Sequence, residues 1–285
     1  MGILTRIATA NPHSGGAPLV LILKPARLYL VNVNEPVSSA ATDDDLRLLH
    51  VDVDTMFVMS AAGRIEREND PDRSSGPRVF FAGCPFGNLT RVRYDVDDGI
   101  AERIVEVAAT EPPWCDPGAT PACFAKMVEL LSDGQPAAAS SALIYKIPNG
   151  LQHQQTAAIV RGDSEEGGQI LARLAEHGMP DYMQAAGFKG VGDFWEPWCV
   201  VLDATDIASM AFAARLGVSG AEIGVYTFPK YRSSGLAAAV TAAWSSMRSL
   251  NQRALFYSTI KSNRSSQRVA SRLGLRLIGA SVRIG

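Results

Sequence analysis

Residues 222–237 read EIGVYTFPKYRSSGLA: a strand-like run that turns and passes directly into an apolar helix. The first amides of a helix lack intrahelical acceptors and point outward, where the macrodipole also favours negative charge. Gly235 adds no side chain to bar close approach, while Arg232, Ser233 and Ser234 add donors beside it. This is the chemistry of a pyrophosphate cradle built mainly from backbone amides. The same residues also suit an ordinary strand–helix turn. No G-x-x-x-x-G-K-[ST] loop occurs in the chain, and Gly187, Gly190 and Gly192 have neither the spacing nor the following helix of a dinucleotide fingerprint.

A second element lies downstream, where residues 263–266 read NRSS and residues 272–275 read RLGL. Arg232, Gly235 and Ala237 match a [Q/R]-x-x-G-x-[G/A] motif with its Pro-x-Tyr-Arg lead-in at Pro229–Arg232, and the downstream element matches N-x-x-S…L-G-[F/L]. With these two motifs in this order, the chain from Thr156 onward resembles the GNAT superfamily of acyl-CoA-dependent N-acyltransferases. Residues 256–259 and 269–274 look like a bacterial subgroup. The resemblance implies a C-terminal α/β acyltransferase fold with a mixed sheet, in which the strands Glu222–Phe228 and Ala254–Thr259 splay apart. It implies that the pantetheine arm of acetyl-CoA pairs with the first strand at Val225 and Thr227, and that an amide near Thr227 polarises the acyl carbonyl. Arg232, Ser233, Ser234, Gly235, Leu236 and Ala237 then hold the pyrophosphate, and Asn263 and Ser266 reach the pantetheine. The acceptor amine attacks the thioester directly, with no metal and no covalent enzyme intermediate.

The acid and base depart from the family pattern. The tyrosine that usually follows the motif asparagine by seven positions is Ala270 here, which leaves Tyr257, Ser258 or water to protonate the thiolate. Glu222, on the strand where some relatives carry a base, is the candidate base. The alternatives for these residues are structural: Glu222 as an ion-pair partner, Tyr257 as core, Asn263 as a helix N-cap.

The elements that must position these residues follow from periodicity. After the turn at Pro148-Asn149-Gly150 come a strand at Thr156–Val160, helices at Ser164–His177 and Pro180–Ala186, and strands at Trp198–Asp203, Ile207–Arg215 and Glu222–Phe228. A helix at Leu236–Leu250, with an apolar stripe at Leu236, Val240, Ala243, Trp244, Met247 and Leu250, precedes a strand at Ala254–Thr259, a helix at Ser265–Leu273 and a strand at Leu275–Ile284. Residues 1–149 read as an α+β domain that shapes the acceptor site, and residues 150–285 as the acyltransferase-like domain. In the first, Val51–Ser60 and Arg64–Glu68 suggest a hairpin, Arg78–Ala82 and Leu89–Tyr94 further strands, and Asp97–Ala109 and Ala122–Leu131 helices. The Asp43–Asp45 run suggests a solvated helix start. The family sheet usually has one more strand than the chain supplies after Ile284. A strand from the N-terminal portion, with Ala142–Ile147 as candidate, or one from a second copy in a homodimer, is therefore expected to cover that edge.

Composition bounds the rest. The 285 residues include 27 basic and 29 acidic side chains, but residues 220–285 carry ten basic residues and a single acid, Glu222. Residues 1–219 therefore hold 17 basic and 28 acidic residues, an asymmetry that points to an anionic ligand at the C-terminal end. Arg264, Arg268 and Arg272 form one helix stripe that suits the 3′-phosphate of CoA, an acidic acceptor or nucleic acid, with docking on the acidic N-terminal portion the favoured expectation. Four cysteines without C-x-x-C spacing suggest reduced thiols. The absence of a signal-like start and of a long apolar run suggests a cytoplasmic protein without a membrane partner. The leading expectation is an acetyl-CoA-dependent N-acetyltransferase acting on a small-molecule or peptide amine. An inactive acyl-CoA-binding sensor is the alternative. A nucleic-acid-binding module using the arginine stripe is disfavoured by a pI near 6.1 and by the lack of interleaved exposed aromatics.

Overall fold

The computed structural model describes residues 44–132, 137–154 and 157–285. The chain opens with α1 (Asp44–Met56), the short pair β1 (Phe57–Met59) and β2 (Ile65–Glu68), and the strands β3 (Val79–Cys84) and β4 (Gly87–Val92). Helices α2 (Asp98–Ala109) and α3 (Phe124–Leu131) lead to β5 (Ala139–Ile147). Then follow β6 (Ile159–Arg161), α4 (Glu165–His177), α5 (Asp181–Ala185), β7 (Trp198–Asp203), β8 (Asp206–Leu216) and β9 (Gly220–Thr227). Helix α6 (Leu236–Ser245), β10 (Ala254–Ile260), α7 (Arg264–Arg272) and β11 (Arg276–Ile284) complete the chain.

Local chemistry explains the helix starts. Asp97 caps α2 by accepting from the Ile100 amide at 3.1 Å, and Ser164 caps α4 by accepting from the Gly167 amide at 3.1 Å; side-chain oxygens at this position satisfy amides that the helix leaves open. Helix α6 stops at Ser245, five residues short of the expected Leu250. The Ser245 and Ser246 hydroxyls both donate to the Ala242 carbonyl and compete with helix continuation. Residues 248–250 form a separate short turn.

Two N-terminal readings are corrected. The Val51–Ser60 run is helical to Met56, because Leu49, Val53 and Met56 recur at helical spacing and all bury against the sheet. Only Phe57–Met59 pairs with Ile65–Glu68 as a hairpin. Of the described residues of the acidic helix start, Asp44 is solvated, whereas Asp45 is buried and ion-paired with Arg276 of β11. The segment before residue 44 and the Thr156 end of the first expected C-terminal strand lie outside the described residues.

Nine described strands form one sheet in the order β4-β3-β11-β5-β10-β9-β8-β7-β6, antiparallel throughout except for the β9–β10 pair. The N-terminal portion does supply the expected strand, but at an inner position. Strand β5 sits between β10 and β11, pairing Tyr257 with Tyr145 and Leu277 with Tyr145. The far side of β11 is covered by β3, which pairs Val282 with Phe81. The chain thus reaches Pro148–Gly150 already woven into the sheet; there Gly150 turns with φ +65° and the Asn149 amide ties to the carbonyls of Leu250 and Arg253.

The sheet separates two layers. On one face α6 and α7 pack through Val240, Trp244, Ala270 and Leu273 against Leu255 and Tyr257. On the other, α1 packs through Leu48, Leu49 and Val53 against Phe256, Ile144 and Ile278. Strand alternation decides these assignments: successive residues of β10 face opposite layers. No described helix is long and apolar enough to cross a membrane.

Candidate functional site

Strands β9 and β10 are paired only from Ala254–Gly220 to Phe256–Glu222. Beyond that point β9 continues against β8 alone and β10 against β5 alone. Residues 223–227 therefore present a strand edge with no partner on the β10 side among the described residues, and the two strands open as a wedge. An unpaired edge needs hydrogen-bond partners and accepts an extended ligand readily.

The wedge leads straight into the start of α6. Gly235 occupies the N-cap position with φ +82°, and Ser233 also has a positive φ of 68°. Only glycine takes the first conformation without strain. Among the described residues, the amides of residues 233–237 are given no protein acceptor, whereas those of Ala238 and Ala239 both donate to the Gly235 carbonyl. Five consecutive free amides at a helix start form an anion cradle.

A cleft of about 620 Å³ joins these parts. Of the residues expected to contact the cofactor, Val225, Thr227, Arg232, Ser233, Gly235, Leu236, Ala237, Asn263 and Ser266 line it. Ser234 does not; it is exposed, and its hydroxyl donates to the Tyr231 carbonyl, closing the loop. Asn263 caps α7 by accepting from the Ser266 amide at 3.1 Å and also lines the cleft. The Arg232 Nε donates to the Thr227 carbonyl at 3.3 Å, which ties the cradle to the end of β9.

Tyr257 also lines the cleft. Its ring packs edge-on to Tyr145, 6.4 Å between centroids, and its hydroxyl donates to the Ser266 carbonyl at a long 3.3 Å. Burial pushes its hydroxyl up to about 12, so the phenol keeps its proton throughout the neutral range.

Glu222 is the clearest departure. It lies outside the cleft lining, buried on the α1 face and 3.9 Å from the Arg215 Nη1, and burial raises its carboxyl above the usual carboxylate range. The reason is parity: Tyr257 and Glu222 belong to opposite faces of the wedge, since Glu222 pairs with Phe256 rather than with Tyr257.

The arginine stripe of α7 is corrected too. Arg264, Arg268 and Arg272 are exposed and make no ion pair among the described residues; Arg268 and Arg272 line the cleft. Val269, Ala270 and Leu273 take the packing side of the helix, which turns the stripe toward the start of α6. A Cβ placed on Gly235 would stand 2.8 Å from the Arg272 Nη1. The spacing at i, i+4, i+8 signalled a common face, but not which neighbour it would meet. The charges that do tie the acidic N-terminal portion to β11 are Arg276 with Asp45 and Arg283 with Glu68. Replacing Arg272 with glutamine is expected to weaken binding of inorganic pyrophosphate at the start of α6 about tenfold and to flatten its salt dependence, as loss of one charge-assisted contact implies. Isothermal titration at two ionic strengths reads both effects.

A splayed parallel pair that opens onto a free-amide helix start defines a mixed α/β fold with a cleft suited to an extended anionic ligand. Residues 189–280 match the family model described as GNAT acetyltransferase, and this C-terminal part of the chain is a GNAT-superfamily domain. No curated protein matches the chain. Among solved structures it is similar to a protein from Novosphingobium aromaticivorans assigned to the GNAT family, at 20% identity over 52% of this chain and 64% of that one, with a TM-score of 0.38. It is also similar to a GCN5-related N-acetyltransferase from Kribbella flavida, at 15% identity over 55% and 62% with a TM-score of 0.37. An acetyltransferase of the GNAT family from Colwellia psychrerythraea matches at 10% identity over 86% and 97%, again with a TM-score of 0.37. The chain spans less than two thirds of the length of the first two.

Proposed function

We propose that the domain transfers an acetyl group from acetyl-CoA to a primary amine by direct attack within a ternary complex. The observation that carries this reading is the continuity of one cleft from the free edge of β9 to the free amides of residues 233–237. These residues fit the cofactor: amides and Arg232, Arg268 and Arg272 suit its phosphates, and the absence of a Cβ at Gly235 leaves room beneath Arg272. Bound acetyl-CoA supplies the thioester that serves as acyl donor.

The chain's own groups then divide the work. Val225 and Thr227 offer backbone partners that align the pantetheine arm, and an amide near Thr227 stabilises negative charge on the acyl oxygen. Holding the amine against the carbonyl carbon removes most of the entropic barrier. Tyr257 keeps a proton at its Oη within the cleft, and its long bond to Ser266 would be easily exchanged for one to the leaving thiolate. Tyr257→Phe is expected to lower kcat about tenfold, at the low end of general-acid contributions, and to leave the KM for acetyl-CoA unchanged. Steady-state kinetics with a free-thiol readout check it.

The test of the reading is thiol release from acetyl-CoA with a panel of amines: polyamines, amino acids, aminoglycosides and peptides. Turnover with one class supports it. Saturable binding of coenzyme A with no turnover for any amine overturns it in favour of a sensor.

A further inference from the structure

A second cavity, of about 420 Å³, lies at the Leu216 end of β8 and shares no lining residue with the cofactor cleft. The cleft meets β9 at Val225–Thr227, opposite Ser209–Ala211, whereas the cavity meets β8 further along, at Ala213 and Leu216. One wall is β2 and the connection to β3, with Arg67, Asp70 and Arg73; the other is Trp195 and Glu196, just before β7. The first wall belongs to the N-terminal portion and the second falls within residues 189–280, so a ligand held here would bridge the two. The volume is that of a small-molecule site, for which roughly 300–1,000 Å³ is usual.

The cavity carries charges of both signs that do not neutralise each other. Arg67 and Arg73 make no ion pair among the described residues, and neither do Asp70 and Glu196. Arg67 is half-buried and spends one N–H on the Glu68 carbonyl, at 3.0 Å. Arg73 has φ +53°, an uncommon conformation for a residue with a Cβ, and its amide donates to the Asp70 carbonyl at 3.1 Å. That tight turn holds its exposed side chain at the cavity rim. Asp70 is only 7% exposed; its Oδ1 accepts from the Ser74 amide at 2.8 Å, and its Oδ2 has no donor among the described residues. A buried carboxylate oxygen left without a donor is costly.

These charges select their ligand. A simple anion drawn to the arginines meets Asp70 and Glu196, and a simple cation drawn to the carboxylates meets the arginines, so each is penalised. A molecule bearing both charges satisfies both sets and supplies the donor that Asp70 lacks. Between the charged groups the wall is apolar: Trp195 is buried edge-on to Phe212 at 5.7 Å, with Pro71 and Leu216 beside it in the lining.

We propose that this cavity binds a free α-amino acid with an aliphatic side chain. Arg67 and Arg73 take the carboxylate, Asp70 and Glu196 the ammonium, and Trp195, Pro71 and Leu216 the side chain. The inference goes beyond the acyl-transfer reading and does not depend on it.

Isothermal titration of the full chain with L-leucine, with no acyl donor present, tests the site. Two analogues decide the chemistry. N-acetyl-L-leucine lacks the ammonium and 3-methylbutylamine lacks the carboxylate, and each should bind at least about tenfold more weakly than L-leucine. Glu196→Gln should weaken L-leucine about tenfold without weakening N-acetyl-L-leucine. Arg73→Gln should weaken L-leucine by a similar factor without weakening 3-methylbutylamine. Both side chains are exposed, so neither variant should move the melting temperature, and coenzyme A affinity should be unchanged in both. No saturable binding of L-leucine, binding no tighter than that of either analogue, or full affinity in either variant overturns the proposal. Failure of every amine to be turned over would sink the acyl-transfer reading and leave this binding test untouched.

Discussion

Replacing Gly235 with valine is expected to weaken coenzyme A binding at least a hundredfold while leaving the fold intact. Two effects act on binding. The Cβ would stand 2.8 Å from the Arg272 guanidinium, so that group must move off the cleft. The branched side chain would also cover the free amides of residues 233–237, where an anionic group must come close. A loss of about 2.7 kcal/mol is a hundredfold in affinity, and the displaced guanidinium and the covered amides together reach it. The residue also sits at φ +82°, a conformation that costs a β-branched side chain about 1–3 kcal/mol with or without ligand, so that cost falls on stability. Gly235 is half-buried at the rim of α6, so the melting temperature should fall by only a few degrees, which separates a binding defect from unfolding. Titration calorimetry paired with thermal melts reads the two. Wild-type affinity in Gly235→Val would mean that the free amides at this turn do not hold the phosphates.

How much of this was legible depends on the range over which each feature is encoded. The cradle and the caps are local: Asp97, Ser164 and Asn263 announce helix starts by type alone, and the positive φ at Gly235 follows from one glycine before an apolar helix. The wedge was legible only through family resemblance, because nothing in residues 222–228 or 254–259 says where their pairing stops. The partners of β5 were only half legible. Its apolar alternation identifies a strand, but insertion between β10 and β11 is a contact between distant segments. α1 shows the converse failure, since Val51 and Val53 favour a strand locally while burial of one stripe against β9 and β11 decides for a helix. Glu222 was hardest. Its type and strand suggested a base, yet its neighbours Asp52, Glu68 and Arg215 come from three other elements that no spacing rule joins. The charge asymmetry resolves accordingly: Arg268 and Arg272 turn toward the cleft, while Arg276 and Arg283 hold the N-terminal portion.

That ionic junction carries the other large effect, which falls on stability. Glu68→Ala removes the one carboxylate that holds both Arg215 and Arg283, and Arg215 is 5% exposed. Breaking a buried pair from one side costs about 3–5 kcal/mol, because the surviving charge stays desolvated. For a chain of this size that is a fall of about 10 °C in melting temperature. The loss should also be local in its first step. Glu68 ends β2, and the β1–β2 pair is tied to the rest of the protein by this junction, the core residues Phe57 and Ile65, the Asn69 side chain bound to the Leu216 carbonyl and, at its other end, the Arg64 side chain bound to the Arg93 and Val96 carbonyls. Limited proteolysis should therefore cut residues 60–76 before global unfolding. Glu68→Ala with Arg215→Met removes the stranded guanidinium and should recover more than half of the loss, since an apolar isostere tolerates burial that a lone charge does not. A fall of less than about 3 °C in Glu68→Ala, a shift worth about 1 kcal/mol, would show that the cluster does not anchor the hairpin.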